Sequence, residues 1–453
     1  MDPVAVDRDP VGSFWHLHIQ PPLFNAVMVG TANLSPFGIG ATLNVLYLAM
    51  GLGLAAASFA LLRRFGLRPW PAVAVALLVS CNPTAILYEN WLFYAYPTAL
   101  LLVVATLLVT RYAQSRRATD AALFFAAVAA VILSRSVFHP VWMLVAGVGL
   151  LLVTLPASRS TVLATAAVPL LLVCGLLVKN LVLYDQLSSS SWFGMNLARI
   201  TTFQIPNDER ARLVRERKLS VLALRPTFAY YDLYADSGFG TPHPPSGHPV
   251  VDDAVKSDGS PNFNYAGYLG VYRRYMKDAL ASLRLRPGAY MHGEVTAYVV
   301  YLNSPSDYLV RTPNQRRIAA LDATWRTLAY GEVPRALTNS ARRGQSPLVN
   351  RALTAGLVVA ALLGTVMVTG GRLMAAVLRR RRPADPQVIG LLFGWLTICY
   401  FTVVANAVEV GENQRFRFEV EPLLALVAVG LWHEFWRRRP VKPTGGTDGS
   451  PPA

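Results

Sequence analysis

Stretches of mostly apolar residues recur along this chain, and each is close to the roughly 20 residues that a helix needs to cross a bilayer core about 30 Å thick. Long uninterrupted stretches favour helices over a β-barrel, because a backbone in lipid must satisfy its own hydrogen bonds. The chain is therefore predicted to be an all-α polytopic membrane protein with about nine transmembrane helices. The predicted spans cover residues 38–62, 70–88, 91–110, 120–134, 137–155, 161–184, 351–376, 388–406 and 419–436.

Composition also indicates a membrane protein. Hydrophobic residues make up 53% of the 453 residues, charged residues only 15%, and the mean hydropathy is +0.36. These values exclude an ordinary soluble globular protein of this length. The sequence has no phosphate-binding glycine loop, no GxSxG nucleophile elbow and no cysteine-based metal site, so transport driven by ATP in this chain alone is disfavoured.

The net charge of +16 could indicate a nucleic-acid partner. The basic residues, however, lie mainly in short loops at alternate crossings and in one long loop, and the positive-inside rule places such short loops in the cytoplasm. The expected partner is therefore the lipid bilayer with its anionic head groups, and no nucleic acid. The predicted cytoplasmic clusters are Arg63, Arg64 and Arg68, then Arg111, Arg116 and Arg117, then Arg379 to Arg382, and Arg437 to Arg439.

This topology divides the chain into five segments. Residues 1–37 form an extracytoplasmic segment with an interfacial helix, and 38–184 contain transmembrane helices 1–6. Residues 185–350 form a large, mainly helical extracytoplasmic loop, 351–436 contain helices 7–9, and 437–453 form a disordered cytoplasmic tail. A chain that begins outside the membrane needs a preceding span, so a further helix upstream of Met1 is expected.

Polar residues at the predicted outer rim are candidate functional residues, because polar groups at membrane depth are costly. His18 and Gln20 precede Pro21 and Pro22, which open an apolar segment too short to span the bilayer and suited to an interfacial helix. Further along, the serines at 188–191 lead into Trp192 and Asn196, a pattern that suits either a sugar site or a plain loop.

Two outer turns carry a carboxylate and an arginine. Glu89 lies in an aromatic stretch whose rings are interpreted as membrane-interface anchors, and its carboxylate needs a partner or a task at that depth. Arg135 and His139 occupy another outer turn. The Arg135 guanidinium either holds a phosphate or pairs with Glu89.

The segment before the last predicted span carries Glu412, Arg415 and Arg417 at a rim that is usually neutral and aromatic. Arginine guanidinium groups match the geometry of phosphate oxygens, so Arg415 and Arg417 are candidate ligands for an anionic head group. The alternative is a network of Arg–Glu salt bridges.

Two motifs suggest a family. The run from His18 to Asn25, His-x-Gln-Pro-Pro-Leu-Phe-Asn, and the run from Glu412 to Pro422, Glu-x-x-Arg-Phe-Arg-Phe-x-x-Glu-Pro, resemble the GT-C superfamily of membrane glycosyltransferases. Within it the chain is most similar to the protein O-mannosyltransferase-like and Rgt-type bacterial enzymes. The resemblance covers most of the chain by architecture, and only these two motifs by residue.

The resemblance implies transfer of a sugar from a polyprenyl-phosphate donor to an envelope glycan, lipid or protein on the outer face of the cytoplasmic membrane. It implies an acidic general base upstream of the Pro-Pro motif, for which Asp9 is the candidate; Glu89 is the other carboxylate suited to that role. Arg415, Arg417 or Arg135 would hold the departing phosphate. No cofactor is assigned, and a requirement for a divalent metal is left open.

Two other functions compete with this one. A lipid flippase or transporter would place ionisable residues or broken helices near the bilayer midplane, whereas here the polar groups gather at the rim. A non-catalytic envelope scaffold would lack a carboxylate near Arg415. The position of carboxylates around Arg415 therefore separates the enzyme from the scaffold.

Overall fold

The structure is a computed structural model that describes residues 1–35, 38–153, 159–241, 244–309, 313–330, 347–379 and 385–437. Within these ranges the chain is helical throughout, apart from loops and one isolated bridge between Val255 and Pro261. The predicted all-α fold is confirmed for them. Residues 331–346 of the predicted loop and 438–453 of the predicted tail lie outside these ranges.

The α-helices are numbered in chain order. The first ten are α1 (Pro3–Arg8), α2 (Pro10–Trp15), α3 (Leu23–Asn33), α4 (Ile39–Arg64), α5 (Pro69–Ser80), α6 (Pro83–Glu89), α7 (Ala95–Ser115), α8 (Ala118–Ser134), α9 (Pro140–Val153) and α10 (Arg159–Tyr184). Those that follow are α11 (Phe193–Ile200), α12 (Asn207–Arg215), α13 (Asp232–Ala235), α14 (Pro249–Asp252), α15 (Tyr268–Leu285), α16 (Pro287–Leu302), α17 (Pro313–Arg317), α18 (Ala319–Tyr330), α19 (Pro347–Arg379), α20 (Pro386–Val408) and α21 (Asn413–Arg437). Short 3-10 helices cover Thr202–Gln204, Val221–Leu224 and Pro305–Leu309.

In the part of the chain that is described, five helices are long and apolar enough to cross a membrane. They are α4, α7, α10, the Gly356–Arg379 part of α19, and α20. Helices α5 and α6 add a sixth if they form one span, with a bend of 56° between them. The chain thus has the helices of a multi-pass membrane protein.

Three predicted spans correspond to helices of a different kind. Helix α8 has 17 residues and α9 has 14, so at about 1.5 Å per residue both are shorter than the bilayer core. Helix α21 is long enough, with 25 residues, but its first turns are rich in charge. The count of nine spans and the side that each loop faces stay predictions.

Helix α7 lies at the centre of the apolar bundle, where it packs against α4, α8, α20 and α21. Glycines of α20 allow close approach to two of these helices: a Cβ added to Gly390 would lie 2.0 Å from Oγ1 of Thr110 in α7, and one added to Gly394 would lie 2.5 Å from a methyl group of Val427 in α21. The Thr110 hydroxyl donates to the carbonyl of Thr106 within α7. Small residues at helix contacts are the usual means of packing helices in lipid.

The segment after α10 has its own core, built on α15. Tyr268, Tyr272 and Tyr275 are buried, and each hydroxyl donates to a backbone carbonyl of a surrounding loop, those of Ala229, Phe263 and Arg225. Because burying a tyrosine without a hydrogen bond is costly, these bonds fix the loops to the helix. The segment predicted to be mainly helical contains α12, α15 and α16 among its described residues.

Gly194 fixes the contact between α11 and α15. A Cβ at this position would lie 2.4 Å from the Tyr272 carbonyl oxygen and 2.7 Å from the Met276 amide nitrogen, and neither backbone atom can rotate away. We expect Gly194→Ala to lower the free energy of unfolding by about 1–3 kcal/mol, measured by thermal unfolding in detergent. Gly288→Ala is the control, since nothing lies within 4 Å of the added carbon. Equal unfolding midpoints for the two variants would contradict this packing.

Candidate functional site

A cavity of about 1310 Å³ lies where the ends of several apolar helices meet the segment after α10. Helix α8 ends at Ser134, α10 at Tyr184 and α20 at Val408, while α7 begins at Ala95 and α21 at Asn413. The cavity is lined by residues at or next to all five of these ends, and by residues of α11 and α15. It is therefore at one end of the helix bundle and is covered by the segment after α10.

Two arginines lie side by side in its wall. The guanidinium groups of Arg135 and Arg415 both donate to the hydroxyl oxygen of Tyr94, over 3.1 Å and 2.8 Å. Both also lie over the ring of Phe416, with their Cζ atoms 4.5 Å and 4.9 Å from its centroid. The Phe416 ring and the Tyr94 hydroxyl thus hold two like charges together. Both arginines are nearly buried, with 7% of Arg135 and 4% of Arg415 exposed.

Each arginine has a carboxylate partner. Arg135 Nε donates to both carboxylate oxygens of Glu419, over 3.0 Å and 3.1 Å, and Glu419 is fully buried. Arg415 pairs with Glu412 through its Nη2. Burial raises the pKa of Glu412, but the charge of Arg415, its hydrogen bond and the charges of Arg199 and Arg135 together outweigh burial and hold that pKa below its ordinary value. The four groups form one network of alternating charge.

The network leaves donors unused. Nη2 of Arg135 and Nε of Arg415 are buried and have no hydrogen-bond partner among the described residues. An unsatisfied buried donor on a charged group is costly, and an anion with several oxygens offers the acceptors that these two atoms need. Both guanidinium groups line the cavity, so an anion inside it would lie next to two adjacent positive charges.

A third ion pair lies in the same cavity. Arg199, at the end of α11, binds Glu409 with 2.7 Å between Nη1 and Oε1. Glu409 follows the last residue of α20 and is 4% exposed. Burial raises the pKa of Glu409 to about 7 despite the opposing charge of Arg199. A carboxylate with such a pKa can accept a proton near neutral pH.

The structure brings five of the nine predicted site residues to this cavity. Arg135 and His139 come from the turn after α8, and Glu412 and Arg415 lie around the start of α21. The five residues are Gln20, Arg135, His139, Glu412 and Arg415.

His18 lies outside the cavity and joins the N-terminal segment to the long loop. Its Nε2–H donates to the Asn264 carbonyl, 2.9 Å away, so Nδ1 accepts from the Ser191 hydroxyl at 2.6 Å. Burial lowers the pKa of His18 to about 3. A neutral imidazole with both nitrogens engaged offers no charge to a substrate, and its contacts are those of a structural residue.

Asp9 is also absent from the cavity lining. It caps α2 through the Gly12 amide and accepts from Nδ1 of His248 over 2.6 Å. The hydrogen bond from His248 lowers the pKa of Asp9 below its ordinary value. Its position gives the predicted role as general base no support.

Glu89 does not pair with Arg135, so that alternative is wrong: the Arg135 partner is Glu419. Glu89 ends α6 and packs against α4, where a Cβ added to Gly51 would lie 2.9 Å from its Oε2. It does not line the cavity. In the aromatic stretch that follows Glu89, Phe93 and Tyr94 line the cavity.

Arg417 faces the protein interior instead of the cavity. Its Nη1 donates to the carbonyls of Tyr301 and Leu302, and its guanidinium lies over the ring of Tyr330. Only 1% of Arg417 is exposed. Arg417 also lies 3.7 Å from the Glu421 carboxylate, measured from Nε to Oε2. The Arg–Glu salt bridges predicted as the alternative to phosphate binding are therefore present at Arg417 as well.

Sequence reasoning missed Arg199 and Glu409. Glu409 lies three residues before Glu412 in the same turn, a proximity that could have drawn attention to it. Arg199 had no such signal, because only the fold carries the end of α11 to the end of α20. In the described part of the chain no group of three His, Cys, Asp or Glu side chains is arranged to hold a metal ion.

Comparisons of the chain with protein-family models, with curated proteins and with solved structures find no match.

Proposed function

We propose that the protein is a membrane-embedded glycosyltransferase that transfers a sugar from a polyprenyl-phosphate donor to an envelope acceptor, with its cavity on the extracytoplasmic side. The observation that carries the proposal is the Arg135–Arg415 pair, two adjacent guanidinium groups with unused buried donors at the end of an apolar helix bundle. Such a pair suits a phosphate that is attached to a lipid.

The phosphate of the donor would lie between the two arginines. Planar guanidinium groups bind phosphate oxygens through paired hydrogen bonds, and their charge stabilises the negative charge that develops on a departing phosphate. Tyr94 and Phe416 hold both groups in place before the substrate arrives, so little reorganisation is needed. This preorganisation favours the transition state over the bound substrate.

The polyprenyl chain would lie against the apolar part of the wall. Val404 and Val408 of α20, with Val137 after α8, line the cavity beside Tyr400. Because α20 has the length and composition of a transmembrane helix, this wall continues towards the lipid. A lipid tail could therefore stay in the bilayer while its phosphate enters the cavity.

The reaction needs one proton acceptor. The acceptor hydroxyl oxygen forms a bond to the anomeric carbon of the sugar, and the bond from that carbon to the phosphate oxygen breaks. Polyprenyl phosphate leaves with the electron pair, and the hydroxyl proton passes to a carboxylate. Glu409 is the best candidate for this base, since it lines the same cavity as the arginines and has a pKa near 7.

The proposal is tested with purified protein in lipid vesicles supplied with a panel of polyprenyl-phosphate sugars. Release of polyprenyl phosphate that depends on the protein is the expected result. A folded protein that releases none from any donor in the panel, with or without envelope glycans as acceptors, would exclude this function. Scrambling of fluorescent polyprenyl-phosphate lipids between leaflets without release would instead support a flippase.

The Glu409 base predicts a pH dependence. A base must be ionised to act, so turnover should rise by about tenfold from about pH 6 to about pH 8, as the ionised fraction grows through a pKa near 7. Glu409→Gln should abolish this rise. The control is Glu216→Gln on the exposed surface, which should keep the wild-type profile. An unchanged profile in Glu409→Gln would rule out Glu409 as the base.

A further inference from the structure

We infer that Trp192, Phe228 and Phe263 form a carbohydrate-binding subsite in the same cavity, which takes a sugar ring of the acceptor. The inference rests on the proposed glycosyl transfer and names the class of its acceptor, a glycan. Three observations support it: the arrangement of the three rings, the backbone of Phe228, and the amide side chains that share the cavity.

The three rings meet edge to face. Centroids lie 5.5 Å apart for Trp192 and Phe228, 5.9 Å for Trp192 and Phe263, and 5.8 Å for Phe228 and Phe263, with interplanar angles of 87°, 68° and 86°. All three residues line the cavity and are only partly buried. Because the three rings support each other and pack against the buried tyrosines of α15, they keep their orientation without a ligand and leave their partly exposed surfaces to the cavity.

Phe228 adopts a backbone conformation that a bulky residue rarely accepts. Its φ is +58°, in the left-handed region, where a non-glycine residue pays a steric penalty. Strain of this kind persists where the surrounding structure holds it, and it clusters at binding sites. Here it turns the Phe228 ring towards Trp192 and the cavity.

Amide groups lie in the same cavity. Gln20 and Asn196 both line it, and an amide side chain offers a donor and an acceptor, as sugar hydroxyls require. The loop that carries Trp192 is held by its own bonds, since the Ser188 hydroxyl donates to the Ser190 carbonyl and the Ser190 hydroxyl to the Ile19 carbonyl. Aromatic rings and amide groups in one cavity match the apolar face and the polar rim of a pyranose.

The charge of the cavity selects between two ligands that aromatic groups bind. Perpendicular rings also suit a quaternary ammonium ion. Of the described residues that line this cavity, five are Arg or Lys and three are Asp or Glu. This excess of positive charge repels a cationic ligand and leaves a neutral sugar ring as the occupant.

The subsite is tested by saturation-transfer NMR on the full chain in detergent, with neutral disaccharides of gluco, manno and galacto configuration as probes and choline as the competing class. At least one disaccharide should receive saturation at its ring protons. Affinity should fall by about tenfold in Trp192→Ala and in Phe228→Gly, the loss expected from one aromatic contact. Glycine adopts a φ of +58° without strain, so Phe228→Gly should remain folded.

Trp70→Ala is the control, because Trp70 is 83% exposed and is not part of the cavity; it should bind as the wild type does. Saturation of choline alone, or disaccharide affinity that is unchanged in both cavity variants, would overturn the subsite. Release of polyprenyl phosphate is measured on the same wild-type sample. Donor release without disaccharide binding refutes the glycan subsite alone, whereas disaccharide binding without donor release refutes the transferase and leaves a sugar-binding site.

Discussion

Arg415→Gln should slow the release of polyprenyl phosphate by about two to three orders of magnitude, the loss that follows removal of one preorganised donor to a developing anion. Glutamine keeps a polar side chain of moderate length but loses the charge and the fork of donors. Arg415 is nearly buried and shares the Tyr94 hydroxyl with Arg135. Arg135 is itself held by Glu419, so it does not take over the position that Arg415 leaves. The effect should appear in kcat.

Folding is monitored in the same samples by thermal unfolding. The matched control is Arg212→Gln, which removes an arginine that is 52% exposed and outside the cavity and should leave turnover unchanged. Glu412, the partner of Arg415, is more exposed than the arginine, with 35% of its side chain accessible. Because water can reach the Glu412 carboxylate, the loss of Arg415 as its partner should destabilise the variant only slightly. Turnover within a factor of about two of the wild type in Arg415→Gln would show that the guanidinium does not stabilise the leaving group.

The second large effect concerns stability. Arg135→Met should lower the free energy of unfolding by about 3–5 kcal/mol, since it leaves the Glu419 carboxylate, fully buried and bonded twice by Arg135, without its counter-charge. Adding Glu419→Gln removes that uncompensated charge. The double variant should therefore recover most of the lost stability while its turnover stays low.

Denaturant unfolding of the single and double variants in detergent measures this coupling. A double variant that is no more stable than Arg135→Met would mean that the Arg135–Glu419 pair does not set the stability of the cavity wall. A double variant with full turnover would mean that Arg135 serves the fold alone and leaves the phosphate to Arg415. The single variant Glu419→Gln is the remaining corner of the cycle.

The helices could be predicted from the sequence because the pattern of apolar residues is strong. The residues at which the helices begin and end were harder to predict, because they depend on local capping interactions. Residues 70–88 look like one span by hydropathy, yet the chain bends by 56° between α5 and α6. The Asn82 side chain caps α6 by accepting from the Ala85 amide, and Pro83 follows at the first position of the helix. These two residues are a signal for a helix start that a hydropathy average conceals.

The site was harder to predict because residues that are close in a sequence motif can point in different directions from a helix. Arg415 and Arg417 are two residues apart, so they point to nearly opposite sides of α21, one to the cavity and one to Tyr330. Glu419 is four residues from Arg415 and shares its side, where it meets Arg135 from a turn 284 residues away in the chain. Helical spacing could have predicted that Arg415 and Arg417 do not face the same site. The partner of Glu419 could not be predicted in this way, because it depends on the tertiary fold.

The central claim is that the Arg135–Arg415 pair binds the phosphate of a lipid. Native mass spectrometry of the protein in detergent, with polyprenyl phosphate and the matching polyprenol as ligands, tests it without any need for the acceptor. Polyprenyl phosphate should bind at least tenfold more tightly than polyprenol. This preference should fall by about tenfold in Arg415→Gln, where only Arg135 remains, because a charge-assisted hydrogen bond contributes more than the roughly 1.4 kcal/mol of one tenfold step. Equal binding of the two lipids by the wild type, or a preference that is undiminished in Arg415→Gln, would contradict the claim.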